Sequence, residues 1–227
     1  MSIKQKGNNA VAYNKAIRIV VTTLGVIFGI GGMSHGFFET LQGNTSTNGF
    51  FINAISEANM MWEHGNEPAF TLIPNFLITG IVAMVVGLVI CIWSIGFVHK
   101  KYGSLVFLLL FITLLLVGGG VAQIIFFTVA WAFATRINKN LTWWRKVLPQ
   151  SIRKVFAKFW WICLIIFSIL LLSALQIATF GFVPTINDPD MISKVMVYCV
   201  IGGLIFYILS FICAVASDIE NREVLSE

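Results

Sequence analysis

Five long stretches without a charged residue constrain this chain more than any other feature. They cover about residues 19–38, 76–98, 102–135, 159–183 and 195–217. A helix needs about 20 apolar residues to span a bilayer, and each stretch is long enough. Hydrophobic residues make up 58% of the chain and charged residues 11%, which leaves too few polar groups to cover a water-soluble globule. We therefore predict an all-α, polytopic transmembrane helical bundle that forms a single membrane domain over residues 1–227.

The distribution of charge predicts the orientation. The basic arm 1–18 and the basic loop 136–158 contain no acid, whereas the acidic loop 34–75 contains no Lys or Arg. If segment 102–135 returns to the side from which it enters, 14 of the 15 Lys and Arg residues lie on one side of the membrane. The positive-inside rule makes that side cytoplasmic, together with the tail 218–227. The acidic loop is then external, and we expect the plasma membrane as the location.

The segment 102–135 carries a glycine triplet, Gly118, Gly119 and Gly120, near its middle. Each glycine weakens a helix by about 1 kcal/mol relative to Ala. Each half of the segment would be about 22 Å long, which is short of the ~30 Å hydrocarbon core. The sequence thus predicts four clear spans plus a re-entrant or double-pass segment. One long tilted helix, with the glycines at a packing contact, is the alternative.

Small residues form a stripe on each of the first two spans. Because small residues let helix backbones approach closely in lipid, we expect these spans to pack as a pair. The alternative is that one stripe serves a homo-oligomer or a membrane partner subunit. The residues are Gly25, Gly29, Gly32 and Gly36 on the first span, and Gly80, Ala83, Gly87, Cys91 and Ser94 on the second. The lipid bilayer is the expected surrounding, and no nucleic acid is expected, because the topology accounts for the basic charge.

The external loop is predicted to contain an amphipathic helix at about residues 50–64. Phe51, Ile55, Ala58 and Trp62 recur at helical spacing, and Gly65 can end the helix. Such a helix would lie on the membrane or cover the bundle.

Candidate ligand-binding residues fall into two groups. The external loop and its entry offer His35, Glu39, Glu63, His64 and Glu67, while the spans offer the amides Gln123 and Gln176. Imidazole and carboxylate together suit Zn²⁺ or a similar divalent metal, so His35, Glu39 and His64 are alternative metal ligands. An amide in the bilayer marks a pathway or forms an interhelical hydrogen bond. We expect a binding site at the outer end of the first span.

The absence of charged residues in the spans disfavours several classes of membrane protein. The spans contain no Asp, Glu, Lys or Arg, which disfavours a proton-coupled carrier, a voltage sensor or a charged ion filter. There is no P-loop, GxSxG or dinucleotide-binding fingerprint. We predict a non-catalytic transport-type or accessory subunit, without a cofactor, that handles an apolar or uncharged ligand or a partner protein. The alternative is a membrane-embedded enzyme or metal-dependent binder whose site lies around His35, Glu39 and His64.

Overall fold

The computed structural model describes residues 13–224. The predicted basic arm therefore lies mostly outside the described residues, as does the end of the predicted tail. The helices are α1 (Lys15–Thr40), α2 (Phe76–Gly96), α3 (Gly103–Leu116), α4 (Gln123–Ala134), α5 (Thr142–Val147), α6 (Gln150–Phe180) and α7 (Pro189–Val224). Two short strands, β1 (Phe51–Asn53) and β2 (Pro68–Phe70), form an antiparallel pair.

Four of the helices are long and apolar enough to cross a membrane: α1, α2, α6 and α7. The apolar character expected from the charge-free stretches is thus present in a helical bundle. The third stretch differs from the other four, because it is divided between α3 and α4, which are both shorter than a span. At 1.5 Å per residue these two helices are only about 21 Å and 18 Å long.

Helices α1 and α2 pack along their small-residue stripes. A Cβ atom added at Gly29 would lie 2.8 Å from the carbonyl oxygen of Gly87, and one added at Gly87 would lie 2.5 Å from that of Gly29. Cys91 also contacts Gly29, and Ala83 is fully buried. The same face continues through Gly25 against Ser94 and Gly36 against Gly80, whereas Gly32 lies against Leu114 of α3.

Helices α6 and α7 form the second extensive pair; α1 packs against both of them, and α4 packs against α1 and α3. Tyr207 of α7 is fully buried and donates a hydrogen bond to the carbonyl oxygen of Phe126 on α4 (2.5 Å). The Tyr207 ring also contacts Phe167 of α6 and Phe211. This aromatic cluster joins α4, α6 and α7 in the centre of the bundle.

The two ends of the bundle differ in charge. We call the end with residues 97–102 and 136–158 the basic end, and the end with residues 41–75 and 181–188 the acidic end. At the basic end, Arg153 pairs with Glu220 and with Glu223. The buried carboxylate of Asp218 accepts hydrogen bonds from the backbone N–H groups of Ala16 and Ile17, both at 2.9 Å. The end of α7 is therefore tied to the start of α1 and to the basic segment.

The α3–α4 hairpin starts and finishes at the basic end. The Asn138 side chain, just after α4, donates to the carbonyl oxygen of His99, just before α3 (2.8 Å). The hairpin tip instead meets the acidic end, where the N–H of Gly118 donates to the carbonyl oxygen of Phe70 (2.9 Å). Gly118 and Gly120 have φ values of +99° and +79°, a region that L side chains rarely adopt. The glycine triplet is the turn of the hairpin, and the chain does not form one long helix here.

The predicted amphipathic helix at residues 50–64 is wrong. The segment instead contains β1, a 3₁₀ turn at Glu57–Asn59 and irregular loop. Ile52 and Ala69 face each other in the strand pair and are buried, whereas Phe51 is 81% exposed. Pairing with β2, a partner distant in the sequence, outweighs the helical spacing of the apolar residues.

Candidate functional site

A small cavity lies where the hairpin tip meets α1 and β2, and we call it the polar cavity because three polar side chains line it beside apolar ones. Its volume is about 90 Å³, and it is lined by His35, Glu67 and Gln123 together with the glycine turn. His35 Nε2 lies 3.2 Å from Glu67 Oε2, with the two side chains only 15% and 19% exposed. This is a close imidazole–carboxylate contact. The three residues come from α1, the acidic loop and α4.

Gln123 is held in place by the turn that it follows. Its Nε2 atom donates to the carbonyl oxygens of Gly119 (2.5 Å) and Gly120 (3.1 Å). Its Oε1 atom is buried and makes no hydrogen bond to any described residue, and the same is true of His35 Nδ1. A Cβ atom at Gly120 would lie 2.9 Å from the His35 ring. The glycine therefore allows the turn to approach the imidazole closely.

A larger apolar cavity adjoins the polar cavity. It has a volume of about 430 Å³ and shares Phe28, Glu67, Pro68, Ala122 and Leu175 with the polar cavity. Helices α4, α6 and α7 form its walls. The apolar lining includes Phe126, Leu171, Ala174, Ala178, Val200 and Leu204. The polar lining of the apolar cavity is His64, Asn66 and Glu67.

The acidic loop covers this cavity at the acidic end. Trp62 attaches the loop to α6 by donating to the carbonyl oxygen of Ala178 (2.8 Å). Helix α4 has 12 residues, whereas α6 has 31. Ile125 and Val200 line the cavity and are 60% and 38% exposed, so the cavity reaches the outer surface of the apolar helices.

The other candidate residues lie apart from the polar cavity. Glu39 is fully buried beside Gly118, and neither of its carboxyl oxygens has a hydrogen-bond partner among the described residues. Glu63 and Gln176 are exposed. His64 lines the apolar cavity, and its Nε2 atom lies 3.9 Å from Asp190 Oδ1. The structure thus brings together His35, Glu67 and Gln123, and it places His64 at the neighbouring cavity.

The alternative metal ligands are not assembled. Among residues 13–224, no three His, Cys, Asp or Glu side chains come close enough to hold a metal ion. His35 is paired with Glu67 and lines the polar cavity, whereas His64 is paired with Asp190 and lines the apolar cavity. A metal site at His35, Glu39 and His64 stays a prediction that this arrangement does not favour.

Sequence reasoning missed Asp190 and the apolar walls of the larger cavity. Asp190 lies in the first turn of α7, and nothing in its neighbourhood along the chain indicates a partner in the external loop. The apolar wall residues resemble every other residue of the spans.

The chain matches no protein-family model, and no curated protein or solved structure matches it. The assignment of function therefore rests on the geometry of the two cavities.

Proposed function

We propose that this protein is a non-catalytic membrane protein of the transport or accessory type that binds a single-chain amphiphile. The observation that carries the proposal is the pair of adjoining cavities, one apolar and one polar. Ligand pockets are commonly about 300–1,000 Å³, mostly apolar, with a few placed polar groups. The apolar cavity alone, at about 430 Å³, falls in this range.

The shape of the cavities suits an elongated ligand with two chemically different ends. A hydrocarbon chain that enters from the bilayer exchanges contacts with lipid for van der Waals contacts with the apolar wall. Its polar end would then lie beside Glu67, which lines both cavities. The ligand would enter sideways from the bilayer past Ile125 and Val200, so it need not cross the aqueous phase.

The proposed orientation follows from the positive-inside rule. The basic end, with the segment 136–158 and both chain ends, lies in the cytoplasm, and the acidic end lies outside. The polar cavity is then near the external face of the plasma membrane. A ligand would be accepted from, or presented to, the outer leaflet.

Filling the apolar cavity tests the proposal. Ala174 is 3% exposed and lines the apolar cavity, so Ala174→Trp would occupy ligand space. Binding of tritiated hexadecanol to the full chain in nanodiscs should weaken at least about tenfold, which corresponds to about 1.4 kcal/mol of lost contact.

The matched control is Leu172→Trp, two residues away on the same helix. Leu172 is 52% exposed on the outer face, so its replacement leaves the apolar cavity unchanged. Binding should be unaffected. Equal affinities in both variants, or no saturable binding by the unmodified protein, would refute the proposed function.

A further inference from the structure

The polar end of the amphiphile would lie in the polar cavity, an inference that rests on the proposed function. His35 Nε2 lies 3.2 Å from Glu67 Oε2, and the Gln123 amide group donates to the carbonyl oxygens of Gly119 and Gly120. The oxygen atoms left for a ligand are Gln123 Oε1 and the second carboxylate oxygen of Glu67, and both accept hydrogen bonds.

Gln123 supplies the sharpest evidence for a ligand. The residue is only 2% exposed, it lines the polar cavity, and its Oε1 atom makes no hydrogen bond to the described residues. A buried carbonyl oxygen without a partner is unfavourable, because it has lost its hydrogen bonds to water. A ligand group that donates a hydrogen bond would remove this penalty.

The charge of the residues around the polar cavity determines which hydrogen-bonding headgroup it can accept. Residues 34–75 contain four Glu and no Lys or Arg, and Glu67 lies in the polar cavity itself. Lys194 lies near the start of α7, and its ammonium group lies 3.9 Å from the sulfur of Met191 on the same helix. The described residues that line the polar cavity include Glu67 and no Lys or Arg, so an anionic headgroup would be repelled there.

We propose that the polar cavity selects an amphiphile whose headgroup is a primary ammonium. Such a group carries the positive charge that suits the carboxylate of Glu67, and it can donate a hydrogen bond to Gln123 Oε1. It is also compact, which suits a cavity of about 90 Å³. A hydroxyl headgroup donates one bond and binds more weakly, and a carboxylate headgroup is rejected.

Three probes of equal chain length test this selection: hexadecylamine, hexadecanol and hexadecanoate, each titrated against the full chain in nanodiscs of neutral lipid. The amine should bind at least about tenfold more tightly than the alcohol, because hydrogen bonds to charged groups are the stronger ones. The carboxylate should bind most weakly.

Two variants connect the selection to the polar cavity. Glu67→Gln keeps the size of the side chain and removes its charge, so amine binding should fall about tenfold while alcohol binding changes little. Gln123→Leu should weaken the binding of both, whereas Gln176→Leu, which changes an exposed amide on α6, should weaken neither. Gln123 also holds the glycine turn, so Gln123→Leu can fail to fold for that reason alone. In that case Glu67→Gln by itself tests the selection for ammonium.

The outcomes separate the two proposals. If all three probes bind equally well and Ala174→Trp blocks each of them, the protein binds amphiphiles but the ammonium selection is wrong. If none of the probes binds, the proposed function and the ammonium selection both fail. Tighter binding of the carboxylate than of the amine would also overturn the selection.

Discussion

The contact between α1 and α2 gives a sharp prediction at Gly29. A Cβ atom there would lie 2.6 Å from the sulfur of Cys91 and 2.8 Å from the carbonyl oxygen of Gly87, whereas ordinary contacts begin at 3.4 Å. The cysteine side chain can rotate, but the carbonyl oxygen is fixed in the backbone of α2. Gly29→Ala must therefore push the two helices apart by about half an ångström.

The size of the effect follows from two opposing contributions. Overpacking a close contact destabilises a fold by about 1–3 kcal/mol. Alanine restores up to about 1 kcal/mol, because it is a better helix former than glycine. We expect Gly29→Ala to lower the free energy of unfolding by up to about 2 kcal/mol.

Gly31 is the matched control on the same helix. A Cβ atom at Gly31 meets no other atom within 4 Å, so Gly31→Ala keeps only the gain in helix propensity. That variant should be unchanged or more stable by about 0.5–1 kcal/mol. Reversible unfolding in mixed micelles, followed by circular dichroism, measures both. If Gly29→Ala proves as stable as Gly31→Ala, the close packing of the two backbones does not contribute to stability.

Three further predictions concern the basic end. Asp218→Ala should lower the free energy of unfolding by about 0.5–2 kcal/mol, as the loss of a helix N-cap does, and Asp218→Asn should lower it less; equal losses would refute the cap. Arg153→Ala should lower it by about 2 kcal/mol, because the partly buried Glu220 loses its partner, whereas the exposed Lys154→Ala should change it by less than about 0.5 kcal/mol. Cysteine introduced at Asn140 should resist impermeant maleimide in intact cells and react after permeabilisation, and efficient labelling from outside would reverse the proposed orientation.

Most of the helical framework could be predicted from the sequence, because it depends on local composition. Stretches of about 20 residues without charge identify spans in any context. The break in the third stretch could also be predicted from local sequence, because the adjacent glycines Gly118, Gly119 and Gly120 weaken a helix. The loop could not be predicted in this way. Phe51 and Ile55 have helical spacing, but the conformation of β1 depends on its pairing with β2.

The candidate site was predictable as a set of residues but not as an arrangement. His35 and Glu67 were candidates as part of the loop, and Gln123 was a candidate as an amide within the membrane. The sequence around Gln123 does not indicate that the hairpin tip places this residue beside the acidic loop. The apolar cavity depends on how α4, α6, α7 and the loop pack together, which is a property of the assembled bundle.

The hydrogen bonds from Ala16 and Ile17 to Asp218 join residues that are 202 and 201 positions apart. Ribosomes add about 5–20 residues per second, so Asp218 is synthesised on the order of 10–40 s after the first turn of α1. During this interval α1 can already pair with α2, but the N–H groups at its start lack their final acceptor. Assembly of this bundle is therefore completed at the helix that was made first, and only when the last helix arrives.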